Sequence, residues 1–238
     1  MRLRAGLTVI LSAHAGLAAA QAPARTAFTA DFGFVSATGN TRLATLNFNE
    51  KVTHTIRSWV LTQMSGYVYG KTNGVSSANQ LRTSLRGDHT FLRNVAVFAG
   101  ASYERNTFAG FDRRTDEFLG LAWKALAAAR DTLSIDAGGV LTQESLVDGT
   151  SRDFPAGRLA GAFKHGFGGA SYFVQLAEYL PNFQTSGAYR LNTESSLVAP
   201  VSKHLGVKVT YNVRYDSKPP VSFGTTDRVL TTGLQVTY

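Results

Sequence analysis

Between Leu205 and Asp216 every second residue is large and apolar. Leu205, Val207, Val209, Tyr211, Val213 and Tyr215 alternate with Gly206, Lys208, Thr210, Asn212, Arg214 and Asp216. A period of two places the first set on one face of a strand and the second on the other. The alternation lasts about twice the five or six residues of an ordinary strand. It suits the roughly nine to eleven residues that cross a bilayer on a tilt. The last segment repeats the pattern. Leu230, Thr232, Leu234, Val236 and Tyr238 share one face, and Val229, Thr231, Gly233, Gln235 and Thr237 share the other. Outer-membrane barrel precursors end on such an amphipathic strand with a terminal aromatic. Leu234, Val236 and Tyr238 are therefore the candidate signal for the barrel assembly machinery.

Similar segments recur upstream and predict strands at 26–36, 42–54, 58–71, 80–91, 95–107, 115–125, 132–144, 154–165, 169–180, 187–199, 205–216 and 226–238. Short connections fall at Ile56-Arg57, Leu92–Asn94, Gly166–Gly168 and Val201–His204. Longer ones, rich in turn residues, fall at Lys71–Asn79, Phe108–Arg114, Glu144–Asp153, Pro181–Gly187 and Ser217–Thr225. Short turns on one side and long loops on the other describe a bacterial outer-membrane barrel. The predicted fold is an all-β transmembrane antiparallel barrel of about 12 strands. Ala37–Thr41 is short for an outer loop. Ala125–Asp131 is long for a periplasmic turn, and its Ala-Leu-Ala-Ala-Ala-Arg run has the composition of one helical turn but is too short to be stable alone.

The fourth strand tests the division of faces. Leu81, Thr83, Leu85, Gly87, His89 and Phe91 would face lipid, with Gln80, Arg82, Ser84, Arg86, Asp88 and Thr90 inward. A soluble sandwich with Arg82 and Arg86 on its inner face would bury unpaired charge at high cost. Hydrocarbon demands a closed sheet, since an open edge there leaves backbone groups without partners. Tyr67, Tyr69, Tyr103, Tyr179, Tyr189 and Tyr215 gather near the long-loop ends. Trp59, Phe91, Trp123, Phe163 and Tyr238 gather near the short-turn ends. Two such girdles mark two membrane interfaces.

Composition sharpens this picture. Only 17% of the 238 residues are charged and there is no cysteine. That excludes disulfides and thiolate metal sites. Arg2 and Arg4, the apolar run Ala5–Leu17 and Ala18-Ala19-Ala20 before Gln21 form a secretory signal peptide over residues 1–20. Residues 21–238 are then the exported barrel, addressed to the outer membrane. The net charge of +8 lacks the clustered Lys and Arg of a nucleic-acid binder.

The sequence also resembles a known family, the salt-induced outer-membrane proteins, called YdiY-like or domain of unknown function 481. The resemblance rests on Gly39-Asn40-Thr41, on Tyr215-Asp216-Ser217-Lys218-Pro219-Pro220, and on Thr226-Asp227 followed by Leu230-Thr231-Thr232-Gly233-Leu234. It spans residues 27 to 238. It implies an outer-membrane barrel and carries no established activity, substrate or catalytic residues.

Chemistry is sparse. His54, His89, His165 and His204 fall near the predicted periplasmic ends, without a nucleophile and orienting acid in sight. His89 and Ser84 lie on opposite faces of one strand. No pair of histidines has metal-ligand spacing, and no cofactor motif is present. The candidate site is the lumen, lined by Arg82, Arg86, Asp88, Glu104, Asp136, Lys208, Arg214 and Asp216. Charges of both signs can pair and brace a closed barrel, or line a narrow pore. Four readings stand: a narrow passive channel, a closed barrel acting through its loops, a lipid-modifying enzyme, and a soluble exported β-protein with a polar binding interior. Expected partners are outer-membrane lipids, lipopolysaccharide and the assembly machinery.

Overall fold

The computed structural model describes residues 25–37, 43–168 and 171–238. The proposed signal peptide, Gly39-Asn40-Thr41 and the 169–170 connection lie outside them. Twelve strands follow one another among the described residues. They are β1 (Arg25–Ala37), β2 (Leu43–Ile56), β3 (Trp59–Thr72), β4 (Val75–Leu92), β5 (Val95–Asn106) and β6 (Phe111–Ala127). The second half comprises β7 (Asp131–Leu146), β8 (Ser151–Gly168), β9 (Ser171–Pro181), β10 (Tyr189–Pro200), β11 (Leu205–Asp216) and β12 (Thr226–Thr237). Each pairs antiparallel with its sequence neighbours, and β1 pairs with β12, so the sheet closes. The closing seam runs from Thr29 opposite Thr237 to Phe32 opposite Leu234. Tyr238 extends it. Its N–H donates to the Phe28 carbonyl at 2.9 Å and its own carbonyl accepts from Phe28 at 2.8 Å.

The wall sorts as its alternation demands. Phe32, Leu85, Leu119, Leu159, Leu197 and Leu230 are exposed on the outside, Leu230 to 67%. Such apolar exposure over a whole circumference has no explanation in water and is the expected dress of a lipid-facing band. On the outside Tyr67 stacks on Tyr69 at 6.4 Å, and Tyr189 lies 5.5 Å from both Tyr179 and Tyr215. These form the belt at the long-loop end. Trp59, Phe91, Trp123 and Tyr238 are exposed at the short-turn end.

Five connections differ from expectation. Those expected at 108–114 and 144–153 shorten to 107–110, which holds the 3-10 turn Thr107–Ala109, and to 147–150, because the flanking strands stay paired further out. The long loop expected at 71–79 is a two-residue turn, because β3 and β4 pair as far as Thr72 opposite Val75. Asn73 and Gly74 have φ of 52° and 84°, the pair of positive angles that a type I′ hairpin requires. The Asn-Gly dipeptide carried that signal. At 125–131 the connection shortens to 128–130. β6 continues to Ala127, with a register shift between Lys124 and Leu126. Edge-to-edge pairing with β7 outweighs the helical preference of a run too short to nucleate. At the next short turn, β8 runs on through Gly168, again with a register shift. β4, β6, β7 and β8 thus have 16 to 18 residues, longer than a bilayer crossing needs.

Candidate functional site, the charged lumen

Cross-strand register stacks charges of alternating sign on the inner wall. Arg82, Glu104, Arg114, Glu144 and Arg152 are successive partners across β4 to β8. Opposite charges in direct register attract. Arg114 lies 2.6 Å from Glu144, and Arg152 lies 2.5 Å from the other Glu144 oxygen. Glu144 is only 2% exposed, so both partners are needed to offset its desolvation.

Other pairs cross the lumen. Arg214 on β11 donates to Glu104 on β5 at 2.6 Å. These strands stand six places apart in the ring, on opposite walls. A circular ring of twelve strands about 4.8 Å apart and tilted about 40° would be ~24 Å across. An extended Arg and Glu with their contact span only about 15 Å from backbone to backbone. The barrel is therefore flattened at this level. Glu104 also accepts from Gln80 at 2.7 Å and lies 3.9 Å from Arg114. Arg114 approaches Asp216 at 3.7 Å, and its Nη2 is buried without a hydrogen-bond partner among the described residues. Nearby, Arg190 of β10 donates to Asp116 of β6 at 3.0 Å, and Thr142 donates to the same carboxylate at 2.6 Å.

A third layer is half aromatic. Arg86 bonds Asp88 on its own strand at 2.6 Å and Asp136 on β7 at 2.5 Å. Arg158 joins Asp136 to Glu178 at 3.2 and 2.8 Å. The Arg86 and Arg158 guanidinium carbons stand 4.0 and 5.3 Å from the Phe98 ring centre. Phe98 is 1% exposed because Gly120, its cross-strand partner, and Gly138 beyond it leave room for the ring. A Cβ on Gly138 would stand 2.1 Å from the Leu119 carbonyl oxygen. A fourth cluster joins Lys208 to Asp31 at 2.5 Å, Gln235 to Asp31 at 2.9 Å and Tyr172 to Gln235 at 2.8 Å.

All eight lumen residues expected from the alternation project inward. The structure adds Asp31, Arg114, Asp116, Glu144, Arg158 and Arg190, whose facing the same parity rule contains. Their partners across the lumen have no sequence signal. Above the ion pairs, the β11–β12 loop folds over the mouth. A Cβ on Gly110, in the β5–β6 turn, would meet Pro220 and Phe223 at 2.8 Å. Toward the short-turn end the lining is smaller and wetter. Ala122, Ala160 and Ser134 are inward, and the inward Lys124, Thr132 and Lys164 are exposed. Lys51, Arg82 and Lys164 make no ion pair within 4.0 Å among the described residues.

The histidines sit at the short-turn end. His54 bonds the Thr26 hydroxyl at 2.8 Å, His165 pairs with Asp131 at 2.6 Å, and His204 bonds the Thr237 carbonyl at 3.0 Å. His89 meets Ser58 at 3.3 Å, a proximity sequence parity did not suggest. Among the described residues no carboxylate bonds the His89 ring, and no hydroxyl bonds the His165 ring. No group of three or more His, Asp or Glu is placed to hold a metal among them.

A closed sheet with an apolar outer band, two aromatic belts and an ion-paired polar core defines a transmembrane β-barrel. The chain belongs to the family described as "Protein of unknown function, DUF481", whose family model matches residues 30–238. It is 25% identical over 197 residues to the uncharacterized protein YdiY of Escherichia coli (strain K12), covering 80% of this chain and 74% of that protein. Among solved structures it is similar to the NanC porin, with 10% identity, TM-score 0.49, and 89% and 97% of the two chains covered. It is also similar to the KdgM porin, with 14% identity, TM-score 0.46 and coverage of 90% and 99%. The translocator domain of autotransporter NalP from Neisseria meningitidis gives 13%, 0.46, 89% and 86%.

Proposed function

We propose that the protein spans the Gram-negative outer membrane as a narrow passive channel for small ions or solutes, held shut at rest by side chains that bridge its lumen. The observation that carries this is the Arg214–Glu104 pair, 2.6 Å across opposite walls. The obstruction there consists of ionised side chains, which can exchange partners without unfolding the wall. An apolar filling would have to be dismantled to open. The exposed inward Lys124, Thr132 and Lys164 make the short-turn end a water-filled vestibule, facing the periplasm if the long loops face outward. Lys51, Arg82 and Lys164, which make no ion pair within 4.0 Å among the described residues, favour anions. Outer-leaflet lipids, lipopolysaccharide and the assembly machinery are the proposed partners, with Leu234, Val236 and Tyr238 read by the last. No arrangement of side chains among the described residues recommends an enzymatic role.

Planar-bilayer recording tests this reading. Purified protein should give small, discrete, infrequent openings with a reversal potential displaced toward anions in a salt gradient. Lys51→Ser together with Arg82→Ser should move that potential toward cation preference. Silence at every voltage, in the native protein and in variants that break the bridge, would leave a closed barrel acting through its loops.

A further inference from the structure

Near the long-loop end, two arginines stand side by side on the outer wall. Arg105 on β5 faces outward, since its neighbours Glu104 and Asn106 are buried on the inner face. On β6 a bulge decides the facing. That strand has one extra residue against both β5 and β7 between Phe111 and Arg114. Phe111 and Arg114 both lie inside, with the Arg114 guanidinium 3.5 Å from the Phe111 ring centre. Asp112 and Arg113 are therefore both left outside, as bulges re-aim side chains. The result is an open cavity of about 450 Å³, lined by Tyr103, Arg105, Asp112, Arg113 and Ser145. Ligand clefts are roughly 300–1,000 Å³. The rim is tied down. Arg113 donates to the Ser145 hydroxyl at 3.2 Å, and Ser151 donates to the same oxygen at 3.3 Å. Above it the Val147 N–H donates to the Gly110 carbonyl at 3.1 Å, joining the β5–β6 and β7–β8 turns.

Two guanidinium groups face one carboxylate there, so the cavity is cationic. Arg105 stands 3.4 Å from Asp112, with side chains 52% and 59% exposed, and water screens such a pair. Arg113 engages one of its five N–H groups in a side-chain bond among the described residues. Most of the two donor forks is left for a ligand, and such forks match phosphate oxygens two at a time. Height selects the ligand. Tyr103 belongs to the tyrosine row near the long-loop ends, where rings sit at headgroup level. Arg105 lies two residues beyond Tyr103, and Arg113 two beyond Thr115, the partner of Tyr103. At about 3.4 Å per residue and a tilt of about 40°, both are ~5 Å above the ring level. Deeper on β6 and β7, Leu119 and Leu141 are exposed and offer acyl chains an apolar slope. Glu117 is ~10 Å below Arg113 by the same geometry and outside the cavity lining.

We propose that this cavity binds a phosphate of an outer-leaflet lipopolysaccharide, held between Arg105 and Arg113 with the Tyr103 and Ser145 hydroxyls beside it. The inference rests on the outer-membrane orientation given above and not on the channel. Asp112 competes with the phosphate for Arg105.

The barrel, purified in mild detergent, is titrated with bisphosphorylated lipid A, and retained lipid is read by native mass spectrometry. One lipid A should bind. Arg105→Ser with Arg113→Ser should weaken binding about tenfold, with folded gel mobility kept because both side chains are exposed. Lys71→Ser with Arg228→Ser removes the same charge from exposed positions on β3 and β12 and should change binding less than about twofold. Asp112→Asn should tighten binding. Lipid A stripped of its phosphates should bind the native protein no better than bisphosphorylated lipid A binds the Arg105, Arg113 variant. Equal losses in the two double variants would reduce the effect to general surface charge. Equal binding of the stripped lipid would reduce it to acyl contact, and displacement by inorganic phosphate at matched concentration would make it a free-anion site. Each of these three results, or weaker binding by Asp112→Asn, overturns the inference. Silence in bilayer recordings bears on the channel alone and leaves this titration unchanged.

Discussion

Replacing Arg214 with Ser removes the side chain that joins β11 to β5 across the lumen and leaves both walls intact. The Glu104 carboxylate keeps Gln80 at 2.7 Å and Arg114 at 3.9 Å, so the variant does not strand a buried charge and the barrel should fold. A charge-assisted hydrogen bond contributes about 1.5–3 kcal/mol. The lower part of that range applies, since the Arg214 side chain is 28% exposed and solvent screens it. Taking about 1.5–2 kcal/mol, the ratio of open to closed states rises about ten- to thirtyfold. Single-channel recording reads this as open probability. Arg214→Lys should sit between the two. Adding Glu104→Gln to Arg214→Ser should raise opening no further, and the double-mutant cycle isolates the coupling from other effects of each change. If Arg214→Ser opens no more often than the native protein while keeping its folded mobility, the bridge is not what closes the lumen.

Further outcomes follow from packing and from the seam. Gly138→Val places a side chain where a Cβ already meets the Leu119 carbonyl oxygen at 2.1 Å. It should cost at least about 2 kcal/mol, seen as a lower denaturant midpoint for loss of the heat-modifiable band. Deleting Tyr238 removes both backbone bonds to Phe28 and the last aromatic. Membrane insertion in cells should fall several-fold, while an unchanged yield would separate assembly from this residue. In the β7–β8 loop, the Thr150 hydroxyl and then its N–H bond Asp148 at 2.7 and 2.9 Å and hold its carboxyl below the ordinary range. A depressed folded value means the turn is favoured above the unfolded pKa and loses that support as pH falls through the folded one. Thr150→Val should raise the Asp148 titration midpoint by NMR, and an unmoved midpoint would remove the hydroxyl as the cause.

Parity along the chain was sufficient to place every strand within a few residues, and to put Arg82, Arg86, Lys208 and Arg214 inside, because a strand in a membrane wall has one lipid face and one wet face. Turn lengths were less legible. Asn73-Gly74 contains its own hairpin signal, yet the polar residues around it, Lys71 to Asn79, resemble a loop until they pair. Nothing local joins Arg214 to Glu104, or Arg190 to Asp116. Those meetings depend on ring closure, on the stagger between strands and on the flattening of the barrel, which are properties of the whole sheet. Sequence determines which face each side chain takes, since that is set within one strand by the alternation of Cβ directions. Only the closed tertiary structure decides which charges meet, since partners on opposite walls are brought together by geometry that no short segment contains.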